Sequence, residues 1–170
     1  PDSGKFKVYP HDPQKARELL AEAGYPDGLV IDEPTLYLGG THYQVANEIV
    51  QQQLSEAGIY IQIAPGDPAT HYSDHVAGNY HFGLQGWDWT TSDWFWTERI
   101  FATGADANMT RFSNARVDEL YALARSTADQ EARIAAFTEI ISIISEEAVI
   151  VPLYHVSSAL AWNKDLHADP

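Results

Sequence analysis

Apolar residues recur along the chain with helical spacing in six stretches, five of which begin at a typical helix-start residue. Aspartate and asparagine accept hydrogen bonds from the free N–H groups of a first helical turn, and proline fits the first helical position. Asp-Pro pairs open the first and third stretches. The predicted helices therefore begin near Asp12, Tyr43, Asp67, Asp93, Asn114 and Asp129.

Between these helices, short segments are continuously apolar or alternate between apolar and polar residues, which is typical of strands. Strands are predicted over residues 34–39, 59–63, 80–84 and 148–154, with a weaker one over 158–162. Alternation of strands and helices predicts an α/β fold with a largely parallel or mixed sheet and helices on both faces. No internal repeat or linker interrupts it, so residues 1–170 are predicted to form a single α/β lobe.

Composition narrows the classes of function. The formal net charge of −14, from 24 acidic and 10 basic residues, disfavours nucleic acid as a partner because phosphates are repelled. The chain has no cysteine, which excludes disulfides, thiolate nucleophiles and cysteine-based zinc sites. No apolar run reaches the ~18 residues that span a bilayer. The chain opens at Pro1, so we expect a processed protein or a piece of a longer one.

Four of the five tryptophans lie between positions 87 and 96, with two aspartates among them. Indole rings are costly to leave in water and carboxylates are costly to bury, so this stretch is either polar core or the wall of a ligand site. Ligands of α/β sheets sit beyond the carboxyl ends of strands, and the stretch follows a predicted strand. This position favours a site that includes Trp87 and Trp89.

Several residues of this region also have a structural interpretation. Asp93 could serve only as a helix cap, with Trp94 and Phe95 packing in the core. Asn108 either reaches a ligand or satisfies backbone groups of its turn. A third interpretation places the tryptophans at a protein–protein interface.

Two other kinds of chemistry stay open. Asp88 and Asp93 could supply the acid and base of a glycoside hydrolase. His71 and His75, four positions apart on a predicted helix with Asp74 and His81 near, have a spacing that can hold a metal, although a solvated helix face is the simpler expectation. No serine-hydrolase elbow, phosphate-binding loop or dinucleotide fingerprint is present, so we predict a binding protein without a cofactor or metal.

Five segments, in this order, resemble the family 5 extracellular solute-binding proteins, the peptide and nickel receptors of bacterial ABC importers. They are DPQKARELLAEAGYPDG at 12–28, QQQLSEAGI at 51–59, GNYHFGLQGW at 78–87, FSNARVDEL at 112–120 preceded by Asn108, and EEAVIVPLY at 146–154. The resemblance implies a lobe of the type II periplasmic-binding fold from a longer protein with two lobes. It also implies a small-molecule solute, a membrane permease and an N-terminal lobe as partners. The location it implies is periplasmic or extracellular, either free or held by a lipid anchor, and metal chelates are ligands of some members.

The resemblance also proposes a ligand site. In peptide-binding members an aspartate three positions past the tryptophan of the Gly-Trp pair binds the peptide's amine, and Thr90 stands there in this chain. The family's Asp-Pro appears as Asp93-Trp94. Threonine supplies no charge, so an oligosaccharide matches the loop about as well as a peptide. The predicted ligand-binding residues are Gly86, Trp87, Asp88, Trp89, Thr90, Asp93, Trp94 and Asn108.

Overall fold

The computed structural model describes residues 9–37, 41–80, 82–84, 86 and 95–154. Within them lie six helices and two strands, in the order α1 Pro13–Glu22, β1 Leu29–Tyr37, α2 Thr41–Glu56, β2 Ile59–Pro65, α3 Pro68–Ala77, α4 Trp96–Phe101, α5 Ala115–Ser126 and α6 Gln130–Glu146. Each predicted helix is present, and the α/β class is confirmed. None of the helices in these ranges is long and apolar enough to cross a membrane. That residues 1–170 form one lobe stays a prediction.

Four of the predicted caps are confirmed by their hydrogen bonds. The side chains of Asp12, Asp67, Asn114 and Asp129 each accept from a backbone N–H in the turn that follows. These bonds satisfy donors that the first helical turn leaves free. α4 differs, because it begins after Phe95 without a side-chain cap. The cap predicted for it, Asp93, lies outside the described residues.

The two strands and α2 form a parallel β-α-β unit. β1 pairs with β2 from Leu29 opposite Ile59 onwards, and the Leu29 N–H also donates to the Gly58 carbonyl at 2.9 Å. α2 packs against both strands. The strand was predicted to begin at position 34, which is wrong, because backbone pairing with β2 starts five residues earlier despite the polar residues there. The register shifts between Ile31 and Thr35, a stretch that contains Pro34, which has no N–H to donate.

The turn into β1 depends on a glycine. Gly28 has a φ of +94°, and a Cβ there would lie 2.6 Å from the Gly58 carbonyl oxygen. Gly24 has nearly the same φ, +95°, but a Cβ there would meet nothing within 4 Å. Any L residue at either position would therefore have a strained backbone. Only at Gly28 would its Cβ also clash with backbone.

We expect Gly28→Ala to lower the free energy of unfolding more than Gly24→Ala does. Strain alone costs the Gly24 variant about 1–2 kcal/mol, and the clash costs the Gly28 variant roughly 1–2 kcal/mol more because the start of β1 must shift. Urea unfolding followed by circular dichroism measures both. Equal losses in the two variants would contradict this account of the turn.

The described core lies between the last three helices. Its buried members come from α4, α5 and α6: Ile100, Phe101, Val117, Leu120, Tyr121, Ala124, Ala136, Phe137, Ile140 and Ile144. The helical spacing of apolar residues predicts burial of Val117, Leu120, Tyr121 and Ala124 on α5, and all four are buried. On α6 the same spacing predicts burial of Ala136, Phe137, Ile140, Ile141 and Ile144, and this is confirmed except at Ile141, which is half-buried. The apolar stripe of each helix therefore packs against its neighbours, as expected for amphipathic helices.

Two predicted strands are not found in the described residues. Tyr80 and residues 82–84 are irregular, as are residues 149–154. A strand needs a hydrogen-bonding neighbour, and among the described residues only β1 and β2 pair. Val151 is accordingly 75% exposed rather than buried in a sheet. The weaker strand predicted over 158–162 lies outside the described residues.

Candidate functional site

Most of the predicted ligand-binding residues lie outside the described part of the chain. These are Trp87, Asp88, Trp89, Thr90, Asp93 and Trp94. Gly86 and Asn108 are described, as are the residues that lead into and out of the 87–94 segment. The structure therefore describes the two flanks of the site: the chain before residue 87 and the chain from residue 95 onwards.

The flank before the segment runs against α2 and α3. A Cβ at Gly86 would lie 2.5 Å from the Tyr43 hydroxyl oxygen, and one at Gly83 would clash with Nε2 of His75. Contacts this short leave no room for a side chain at either glycine unless the neighbour moves. The glycines therefore allow the chain to pass close to both helices as it enters residues 87–94, here called the tryptophan segment.

The α3 histidines are part of the interior, and the expectation of a solvated helix face is wrong. His71 and His75 are 2% and 3% exposed, with ring centroids 4.1 Å apart. Nδ1 of His75 lies 2.7 Å from the His71 carbonyl oxygen, and because a carbonyl only accepts, this nitrogen carries the proton. In the part of the chain that the structure describes, no three His, Cys, Asp or Glu side chains are grouped to hold a metal. His81 lies outside that part.

Tyr80 connects this flank to a distant loop. Its ring lies 4.3 Å from the ring of His75, and its hydroxyl donates to the Met109 carbonyl at 2.7 Å. Burial raises the pKa of the Tyr80 phenol above its usual value, although the positive charge of Arg111 opposes this. The hydroxyl is therefore protonated at neutral pH and available as a donor.

Asn108 is buried, and its amide makes three hydrogen bonds within the loop. Nδ2 donates to the carbonyls of Ala102 at 3.0 Å and Phe112 at 2.8 Å, while Oδ1 accepts from the Thr110 hydroxyl at 3.1 Å. Both amide hydrogens are thus used by backbone carbonyls, which is the structural role considered for this residue. Its contact with a ligand stays a prediction.

The flank after the segment packs on the helical core. The Phe95 ring meets the Phe137 ring edge-on, with centroids 5.6 Å apart. The Tyr121 hydroxyl donates to Thr97 Oγ1 at 3.0 Å, and burial raises the pKa of Tyr121 to about 12. The Arg99 guanidinium lies 4.6 Å from the centroid of the Trp96 ring, a cation–π contact. The chain therefore leaves the tryptophan segment on a well-packed element.

A separate groove of about 730 Å³ lies along α2. Apolar side chains of the helix, including Val45 and Ile49, form one side, and Leu153 and Tyr154 contribute to the other. Neither Gly86 nor Asn108, the two predicted site residues that the structure describes, lines this groove. Val45 and Ile49 belong to the apolar stripe that helical spacing predicts for α2. They are about half exposed, at 46% and 51%, so this part of the stripe lines an open surface instead of core.

Comparison with the sequence profiles of protein families shows which family the chain belongs to. The sequence profile of the bacterial extracellular solute-binding proteins, family 5 Middle, matches residues 1–108. The chain belongs to this family. Members of this family are solute-binding proteins, and the resemblance described from the sequence is confirmed.

Individual relatives agree with this family. The chain is 31% identical over 173 residues to the glutathione-binding protein GsiB of Salmonella paratyphi A, covering 95% of the chain and 33% of the relative. A periplasmic binding protein of Helicobacter pylori, DppA, solved with the peptide STSA, matches with a TM-score of 0.75 and 25% identity, over 86% of the chain and 29% of DppA.

A third relative shows the fold alone. NikZ of Campylobacter jejuni, solved with Ni(L-His), has a TM-score of 0.74 at 21% identity and covers 87% of the chain and 33% of NikZ. The type II periplasmic-binding fold is therefore confirmed. The chain spans about a third of the length of the curated relatives it matches.

Proposed function

We propose that the complete protein is a receptor that binds a short peptide or a glutathione-like solute and delivers it to an ABC importer. The observation that carries this proposal is the likeness to GsiB over 95% of the chain, within a family of extracellular solute-binding proteins. DppA, whose structure contains a peptide, supports the same ligand class. Because GsiB is named for glutathione and DppA contains a peptide, we treat an oligosaccharide as the alternative that the binding test must examine.

We propose that the solute lies against the segment that follows Gly86. The faces of Trp87 and Trp89 would cover apolar parts of the solute, and Asp88 or Asp93 would bind an ammonium group in place of the aspartate that Thr90 replaces. Trp94 completes this wall, and Asn108 stays a candidate contact. The flanks support the assignment, since both pack on helices, and sites on well-packed elements hold their geometry.

The chain is proposed to be one lobe of a two-lobed receptor. Solute would bind between the lobes, and closure would present a form that a membrane permease recognises. The proposed location is the periplasm or the outer surface of the cell, where a lipid anchor could hold the protein. The proposed activity is binding and delivery without catalysis.

Calorimetric titration of the complete protein tests the proposal. Reduced glutathione, tripeptides, maltotriose and a nickel–histidine chelate serve as titrants. We expect glutathione or a tripeptide to bind with a Kd on the order of 1 µM, about −8 kcal/mol, and maltotriose and the chelate to give no heat. Binding of the sugar or the chelate in the absence of peptide and glutathione binding would contradict the proposed ligand class.

A further inference from the structure

Residues 102–112 form a loop, here called the 102–112 loop, that contacts the flank after the tryptophan segment. The Ala107 N–H donates to the Arg99 carbonyl at 3.1 Å, and the Arg99 side chain donates from Nε to Asp106 Oδ1 at 3.0 Å. Asn108 donates to the carbonyl of Ala102, the first residue of the loop, which directly follows α4. The loop therefore folds back on α4 through both backbone and side-chain bonds.

The same loop also contacts the flank before the segment. Met109 accepts the hydrogen bond from Tyr80 at 2.7 Å. Arg111 donates to the Ala77 carbonyl at the carboxyl end of α3, and its guanidinium lies so close to Gly78 that a Cβ there would displace it. A positively charged group at a helix carboxyl end is favourable, and it satisfies a carbonyl that the helix leaves free.

The backbone of Arg111 indicates that this contact is retained at a cost. Its φ is +55°, in the left-handed region that a non-glycine residue seldom adopts. Such a conformation persists only where surrounding contacts favour it. The carbonyl of Phe112, the next residue, accepts a hydrogen bond from Asn108 at 2.8 Å, which fixes the backbone directly after Arg111.

We propose that the 102–112 loop is a bracket that sets the separation of the two ends of the tryptophan segment, with Tyr80 and Asn108 as positioning residues. Tyr80 determines where the chain enters the segment, and Asn108 holds together the part of the loop that Tyr80 contacts and the end of α4. The role of this bracket in solute binding rests on the proposed function. Its effect on the positions of the tryptophans does not depend on the proposed function.

The variant Tyr80→Phe tests the bracket because it removes one hydroxyl and keeps the ring against His75. Tyr9→Phe is the matched control, since the Tyr9 hydroxyl also donates to a distant carbonyl at 2.7 Å, that of Glu146. Three of the five tryptophans, at positions 87, 89 and 94, lie in the segment, so most of the indole fluorescence reports on it. We expect Tyr80→Phe to change the emission maximum and the acrylamide quenching of the 170-residue chain while Tyr9→Phe leaves both unchanged, at similar melting temperatures.

Solute affinity in the complete protein is the second measurement. Tyr80→Phe is expected to weaken binding about fivefold, the net effect of one hydrogen bond, and Tyr9→Phe to leave affinity unchanged. The bracket is overturned if both variants show the emission and quenching of the unsubstituted chain. If the unsubstituted protein binds none of the solutes tested, the proposed function fails, and the fluorescence comparison still decides the bracket.

Discussion

Phe137→Ala is expected to lower the free energy of unfolding by about 3–5 kcal/mol. Phe137 is 4% exposed and meets two other aromatic rings edge-on, Phe95 at 5.6 Å and Tyr121 at 6.1 Å between centroids. Truncation removes the apolar burial of the ring and leaves a cavity between α4, α5 and α6. It also removes the packing partner of Phe95, the first described residue after the tryptophan segment.

Ile134→Ala is the control, because this residue lies one turn earlier on α6 and is 58% exposed. We expect it to cost less than about 1 kcal/mol, as substitutions on a surface usually do. Urea denaturation monitored by circular dichroism gives both values. Losses of similar size would mean that the α6 face assigned to the core is wrong.

The helices were predictable from the sequence because their determinants are local. Asn114 and Asp129 accept hydrogen bonds within their own first turns, and the apolar faces of the helices that follow repeat every three or four residues. The strands were less predictable, since pairing depends on residues elsewhere in the chain. The start of β1 at Leu29 follows from its hydrogen bond to Gly58, which no pattern within β1 reveals.

The candidate site shows the same division between local and distant determinants. The tryptophan segment is visible in the sequence because unusual residues are concentrated there. The role of Tyr80 is not visible, because its partner Met109 lies 29 residues away. The burial of His71 and His75 depends on how α3 packs, which the four-residue spacing between them does not reveal. The position of Arg111 beside α3 has no sequence signal either.

Trp87→Ala is expected to weaken solute binding by roughly 1–3 kcal/mol, about 5- to 150-fold in Kd. An indole ring that covers an apolar part of a bound solute loses contact with water on binding, and truncation forfeits that burial. Trp96→Ala provides the matched control, because Trp96 is the same residue type nine positions later and its ring contacts Arg99 on α4. That substitution is expected to leave the affinity within about twofold, as for residues outside a binding hot spot.

The central claim is that the segment after Gly86 is the wall of a solute site. Calorimetry of Trp87→Ala and Trp96→Ala in the complete protein, with the solute that the unsubstituted protein binds, tests it most directly. The account predicts a large loss of affinity in the first variant and little change in the second. Unchanged affinity in Trp87→Ala, with the fold intact by circular dichroism, would contradict it.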